Sequence, residues 1–330
     1  MTNVGVIGLT MGGAHLEGYS RIPRVKVLAI CDLNETLLKE QAEKFSVSHL
    51  FSDYHKMLKM EELDAVSIAL PNFLHCPVTL EALTNGKHVL VEKPMAMNSA
   101  EAEKMVKKAK EKKKTLAVAM NYRFVPERVF LKEMIKKGEL GEIYYIKAVS
   151  LRKKTFNKSF YKEGNPRTWF TTKEKSGGGA LVDMGPHLLD LAMWFCDDFK
   201  PVSVCGVTSC KMKNGSVDDL ASALIKLKSG ATISLEFTWE SFTKGKFFLS
   251  LFGTEGGAQT DPLIIYKEMN GTDIEIKPEA KEAPETLQSH FVSCIKEGKE
   301  PEVSGEKGVA VMKIIDAVYE SSKQGKTIFI

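Results

Sequence analysis

Five continuous apolar runs punctuate the first 120 residues. They are VGVIG at 4–8, VKVLAIC at 25–31, AVSIAL at 65–70, HVLVE at 88–92 and TLAVAM at 115–120. Runs this rich in Val, Ile and Leu suit parallel strands buried on both faces. Helical stretches lie between them. NETLLKEQAEKF opens on Asn34, and CPVTLEALTNG has Pro77 near its start and Gly86 at its end, the expected asymmetry of a helix. NSAEAEKMVKKAKEKK opens on Asn98 with Glu101 three residues on, the pattern of a capping box. Repeated β-α-β units predict a doubly wound parallel sheet with right-handed crossovers, a Rossmann fold, whose ligands bind beyond the carboxyl ends of the strands.

The second half has another rhythm. PERVFLKEMIKKG reads as a helix and EIYYIKAVSLR as a strand. After a long polar stretch and a Gly-rich turn, Gly185-Pro186 starts a helix at or just before His187. Strands then follow one another: VSVCGVTSC, LASALIKLK, ATISLEFTW and KFFLSLFGT. In ATISLEFTW, Ala231, Ile233, Leu235, Phe237 and Trp239 alternate with polar residues, as in a sheet with one buried face. Ser229-Gly230 supplies a hairpin turn. Helices around 286–297 and 307–323 close the chain. This half predicts an α+β domain with an open, mainly antiparallel sheet. Its other face must be covered by helices or by a second copy of the chain. A length of 330 residues suits two domains, divided here as 1–123 and 124–330.

Charge excludes some functions. The 46 basic and 42 acidic residues are too balanced to argue for nucleic acid. The run KKAKEKKK at 107–114 reads as a solvated helix end. The six cysteines form no CxxC pair and no metal-spaced cluster with histidine, so no metal is expected. No apolar run reaches the roughly 18 residues of a membrane span. With no signal-like segment at the start, a cytoplasmic location is expected.

Gly8 follows the first strand directly, as a tight strand-to-helix turn requires. The second glycine of a GxGxxG turn lets backbone approach a pyrophosphate; here Thr10 stands in its place, followed by Met11. Gly12 and Gly13 fall one residue early or level, so the turn reads as one residue short. A threonine hydroxyl and free helix N–H groups still suit phosphate. Asp32 ends the second strand, 24 residues after Gly8, near the roughly 20 the fingerprint expects. A carboxylate there binds ribose hydroxyls and repels a 2′-phosphate, which favours NAD over NADP.

Three further stretches set the family. PNFLH at 71–75, VEKP at 91–94 and GGGALVDMGPHLLD at 177–190, in that order and spacing, resemble the Gfo/Idh/MocA oxidoreductases. The likeness extends to NYRF at 121–124, GELGEI at 138–143, VDDLASALIKLKSGA at 217–231 and FGTEGGA at 252–258. It implies a Rossmann domain, a nicotinamide cofactor and a sugar-like or polyol substrate. It places Lys93 of Glu92-Lys93-Pro94 near the reacting carbon, with a Lys-Pro bond that is often cis, and implies that Lys93 stabilises developing negative charge on the substrate oxygen. Asp183 and His187 match the family's DxGxH pair, with His187 as base and Asp183 as orienting group or relay. A helix N-terminus at His187 would hold the imidazole neutral. Pro71 and Asn72 match cofactor-contacting residues, and Asn121 lies where relatives contact cofactor or substrate. His75 either bonds a helix N-terminus or contacts the nicotinamide. Arg123 and Asp190 read equally as structural or ligand-binding. Arg152, Lys153, Arg167 and Trp169 flank the polar stretch and suit substrate binding; Phe170 stands where many relatives carry arginine.

The implied activity is hydride transfer between a sugar, cyclitol or polyol CH–OH and nicotinamide. A glycosidase using NAD transiently and a nicotinamide-binding regulator are the alternatives. A homodimer or homotetramer is expected.

Overall fold

The computed structural model describes residues 1–153, 168–211, 216–280 and 282–330. Backbone contacts divide these into two compact units: Met1–Asn121 with Glu285–Val309, and Tyr122–Pro284 with Ala310–Ile330. A single cut at 123/124 does not describe this division. The helix Leu287–Glu297 packs in the first unit, where Gly18 lies so close to Gln288 that a Cβ would sit 2.6 Å from its Cδ. The Val118 N–H also donates to the Val303 carbonyl.

The first unit holds strands β1 (Thr2–Ile7), β2 (Val25–Cys31), β3 (His49–Phe51), β4 (Ala65–Ile68), β5 (His88–Val91) and β6 (Leu116–Val118). All pair in parallel, in the order β3-β2-β1-β4-β5-β6. The order reverses beside β1, so a ligand crevice lies outside the carboxyl ends of β1 and β4. The helices are α1 (Leu9–Ser20), α2 (Glu35–Phe45), α3 (Tyr54–Leu58), α4 (Asn72–Thr84) and α5 (Ser99–Lys112). Asn34 caps α2 through the Thr36 and Leu37 N–H groups. Asn98 caps α5 through the Glu101 N–H, but Glu101 reaches back to the Met97 N–H rather than to Asn98. Helix α4 starts earlier than Pro77 suggests. It begins at Asn72, so Pro77 lies inside it and forfeits the bond that its N–H would make to the preceding turn. The pair β3 and α3 is too short to show a period in the sequence.

The second unit opens with a 3-10 turn, Asn121–Phe124, and helix α6 (Pro126–Lys136) with proline at its first position. Strand β7 (Ile143–Lys153) follows, then the short α7 (Lys173–Ser176) and α8 (Ala180–Phe195). Strands β8 (Pro201–Ser209), β9 (Leu220–Leu227), β10 (Thr232–Ser241), β11 (Lys246–Gly253), β12 (Gly257–Gln259), β13 (Ile264–Met269), β14 (Thr272–Ile276) and β15 (Ile328–Phe329) complete a nine-stranded sheet. Only β7 and β10 run parallel; every other pair is antiparallel. The hairpin β9–β10 turns through Gly230 at φ 98. Ile146, Ile225, Ile233, Leu235, Phe237 and Leu249 form the inner face and are fully buried. Helix α8 covers it; Ser150 Oγ meets Met184 Sδ at 3.2 Å.

Helix α8 does not start at Gly185-Pro186. The Asp218 carboxylate accepts the Gly179 and Leu181 N–H groups at 2.7 and 2.9 Å, and its carbonyl takes the Ala180 N–H. That cap, from a distant segment, nucleates the helix almost two turns upstream of His187. No described helix is long and apolar enough to cross a membrane.

Candidate active site

In the first unit the predicted cofactor residues follow the carboxyl ends of β1, β2, β4, β5 and β6. Gly8 turns the chain from β1 into α1 at φ 85. A Cβ there would lie 2.4 Å from the Ala69 carbonyl oxygen, so only glycine fits the turn. Gly12 is the glycine of close helix–strand packing, since its Cβ would meet Val6 Cγ1 at 2.6 Å; Gly13 faces nothing nearer than 3.9 Å. The turn is therefore one residue short. Thr10 and Met11 are exposed in the first turn of α1. Among the described residues nothing accepts from their N–H groups, which a helix start leaves unbonded.

Asp32 is half-buried. Its Oδ2 accepts the Leu9 N–H at 2.7 Å and its Oδ1 the Asn34 N–H at 2.8 Å. It is pinned at the strand end, and each oxygen keeps a further lone pair for a ribose hydroxyl. Glycine cradle, open helix start and pinned carboxylate fit a dinucleotide.

Glu92 and Lys93 leave β5. The Glu92 carboxylate lies 3.0 Å from His15 Nε2, on α1, and accepts the Lys93 N–H at 3.1 Å. The Lys93–Pro94 bond is cis. Lys93 is half-buried and Asn121 exposed. Pro71 precedes α4, and Asn72 is buried in its first turn.

His75 is displaced from the expected cofactor contact. It is 1% exposed, with Nδ1 2.7 Å from the Pro94 carbonyl and Nε2 2.7 Å from the Leu70 carbonyl. Burial pushes its pKa down while the two carbonyls oppose the shift. Both ring nitrogens are spent on backbone, so His75 ties the turn after β4 to the turn after β5. A cavity of about 680 Å³ lies at the opposite, amino end of these strands, beside Asp64 and Lys87, and holds none of the candidate residues.

In the second unit, α8 presents Asp183 and His187. Every other residue of this helix is buried. The spacing of four puts both on one face. Asp183 Oδ2 accepts from Arg152 Nη1 at 2.7 Å and from Trp239 Nε1 at 3.0 Å. Arg152, expected to meet substrate, thus orients Asp183. His187 lies well inside α8, and the helix field falls off within the first turn, so the expected electrostatic reason for a neutral imidazole does not hold. Instead the imidazole stacks on Tyr122, centroids 4.2 Å apart and planes 18° apart. Arg128 lies 4.5 Å over the same tyrosine ring, and Phe247 meets its edge at 5.5 Å.

Arg123 and Asp190 pair with each other, bidentate at 2.7 and 2.5 Å and almost wholly buried. They are framework, not ligand contacts. Trp169 stacks on Phe170 at 4.0 Å, Lys153 is exposed at the end of β7, and Arg167 lies outside the described residues. Sequence reasoning missed His15, Tyr122, Arg128, Asp218 and Trp239. Trp239 was visible only as an inward residue of an alternating strand, Tyr122 only as part of NYRF and Asp218 only as part of VDDLASALIKLKSGA; nothing local marks His15 or Arg128.

Comparisons with known proteins agree with this fold. Residues 2–120 match an oxidoreductase family with an NAD-binding Rossmann fold, and residues 129–259 match the GFO/IDH/MocA C-terminal domain. The chain is 29% identical to the D-glucoside 3-dehydrogenase of Escherichia coli K12, over 95% of this chain and 93% of that one. It is 28% identical to the levoglucosan dehydrogenase of Pseudarthrobacter phenanthrenivorans, over 77% of this chain and 72% of that one. A solved levoglucosan dehydrogenase in complex with NADH and levoglucosan superposes with a TM-score of 0.88 at 25% identity, covering 100% of this chain and 99% of that one. The parallel sheet with its glycine turn, the open antiparallel sheet and the matches across both halves lead to one conclusion: this chain belongs to the GFO/IDH/MocA oxidoreductase family.

Proposed function

We propose that the protein is an NAD-dependent dehydrogenase that oxidises a secondary hydroxyl of a sugar or sugar-like polyol. The observation that carries this reading is α8, where Asp183 and His187 alone escape burial. On this otherwise core helix the carboxylate is oriented by Arg152 and Trp239 and the imidazole by Tyr122, both on one face.

The nicotinamide, when bound, supplies a hydride acceptor. Gly8 makes the turn, with its own N–H spent on the Cys31 carbonyl, so Thr10 and Met11 would hold the dinucleotide phosphates by backbone N–H groups and Asp32 the adenosine ribose. Pro71, Asn72, Glu92 and Asn121 line the turns beyond the strand ends. His187 takes the hydroxyl proton. Lys93 donates a hydrogen bond to the same oxygen and stabilises its growing negative charge. Asp183, anchored by Arg152 and Trp239, fixes the substrate's orientation.

The preference for NAD rests on Asp32. A 2′-phosphate beside its pinned carboxylate meets like charge, and no arginine follows it closely in the sequence. The relatives carrying the names above act on a glucoside and an anhydrosugar, which supports a cyclic sugar as substrate. The outer face of the nine-stranded sheet exposes Leu220, Leu224, Val207 and Phe252; a second copy of the chain is proposed to cover it.

Titration with NADH and NADPH, then a screen of glucosides, anhydrosugars and polyols for NADH formation, tests the reading. The expected result is NADH binding about tenfold tighter or more, a difference of about 1.4 kcal/mol, with turnover on at least one cyclic sugar. Failure to bind either nucleotide would sink it. His187→Ala is expected to lower turnover about 10²- to 10⁴-fold while NADH affinity holds; unchanged turnover removes His187 from the reaction.

A further inference from the structure

We propose that Tyr122 is a positioning residue for His187, acting through the face of its ring and not through its hydroxyl. The inference rests on the reading of His187 as the base.

A histidine on a helix has a broad χ2 torsion, so the helix alone does not set the plane of its imidazole. That plane matters, because both nitrogen lone-pair directions lie in it. A base stacked on a neighbouring ring can turn within the plane but cannot tilt out of it. Tyr122 provides such a surface, 4.2 Å away and 18° from parallel, the offset-stacked arrangement that aromatic pairs prefer.

Tyr122 is itself held. It sits in the turn Asn121–Phe124, just before α6, which carries Arg128 over its ring at 4.5 Å. Phe247 closes on its edge at an interplanar angle of 89°. Arg128 is 5% exposed and donates from Nη2 to both Asp261 oxygens at 3.1 Å. The cation therefore cannot swing away from the ring. Asp261 holds Arg128, Arg128 and Phe247 hold Tyr122, and Tyr122 sets the plane of His187. The tyrosine hydroxyl makes no hydrogen bond among the described residues, so the ring carries the role.

Four variants test this: Tyr122→Phe, Tyr122→Leu, His187→Ala and the double variant Tyr122→Leu with His187→Ala. Turnover is read with the sugar that gives NADH, alongside NADH affinity. Misplacing a catalytic group by about 1 Å costs on the order of a hundredfold. Tyr122→Leu is thus expected to lower kcat about ten- to a hundredfold with NADH affinity unchanged. Tyr122→Phe restores kcat to within about twofold of the natural protein. In the His187→Ala background, Tyr122→Leu costs nothing further. A second readout needs no substrate: the His187 Cε1–H resonance is expected upfield by ring current, kept in Tyr122→Phe and lost in Tyr122→Leu.

Equal losses in Tyr122→Phe and Tyr122→Leu would assign the role to the hydroxyl and overturn the proposal. So would an undiminished Tyr122→Leu effect without His187, or a Cε1–H resonance that ignores both variants. If His187→Ala leaves turnover intact, the reading of the base fails and takes this inference with it. If His187→Ala is inactive but Tyr122→Leu is not, this inference alone fails.

Discussion

Single residues in this chain carry charge states that the fold imposes. His88, the first residue of β5, accepts the Thr115 N–H on Nδ1 at 3.0 Å, a bond open only to a neutral ring. Burial first, then Lys114, push its pKa from 6.5 down to about 4, with Asp64 opposing. The folded value lies below the unfolded one, so its contribution is full above pH 6.5 and is lost as pH falls through the window down to about 4. Thermal unfolding between pH 6.5 and 5, above most carboxylate titrations, is expected to show a falling midpoint. His88→Gln should flatten that slope; an unchanged slope would refute the assignment. Asp32 carries a prediction of a different kind. Asp32→Ala removes the acceptor for Leu9 and Asn34 and is expected to erase the preference for NADH over NADPH in a side-by-side titration. Both residues were quoted strand-end positions in the sequence, but only Asp32 announced a role there. His88 was an unremarked member of an apolar run, because its environment comes from Lys114, Asp64 and Thr115, none of them neighbours in the chain.

At the scale of elements, one helix start in each unit positions candidate residues. Helix α1 begins directly after Gly8, and Gly12 lies against Val6 on β1. Gly12→Ala is expected to cost about 1–3 kcal/mol by forcing a methyl group into Val6, measured by urea unfolding, with weaker NADH binding. Gly13→Ala meets ordinary space and is expected to be neutral or stabilising by up to about 1 kcal/mol. Equal costs at the two positions would contradict the shortened turn. Helix α8 begins where Asp218 receives two of its N–H groups and the Tyr319 hydroxyl. Asp218→Ala leaves those donors buried and is expected to destabilise the protein by about 3 kcal/mol. The capped starts of α2 and α5 were legible because Asn34 and Asn98 precede their helices in sequence. The start of α8 was not, because its cap arrives from a residue almost forty positions downstream.

For the molecule as a whole, the sheet of the second unit has one buried face and one outer face that no described helix covers. The Lys147–Glu236 ion pair and the Tyr145–Ser234 hydrogen bond lie on the outer face among exposed apolar residues. If a second copy covers it, light scattering shows a dimer or larger assembly, and Leu220→Glu with Leu224→Glu shifts it toward monomer. A natural protein that is monomeric would rule this out. Local pattern determined much of this protein: five of the six strands of the first sheet, β7 to β11 of the second, the parallel and mainly antiparallel character of each, the glycine turn and Asp32. All of these follow from chemistry repeated within a few residues, where period and spacing express burial directly. Tertiary structure alone decided the passage of residues 285–309 into the first unit, the burial of His75 between two carbonyls, the pairing of Arg123 with Asp190, the cap of α8 and the stack of His187 on Tyr122. Each joins side chains or backbone groups far apart in the chain. Such contacts are selected by packing and by the need to satisfy every buried polar group, and a local pattern cannot express either constraint.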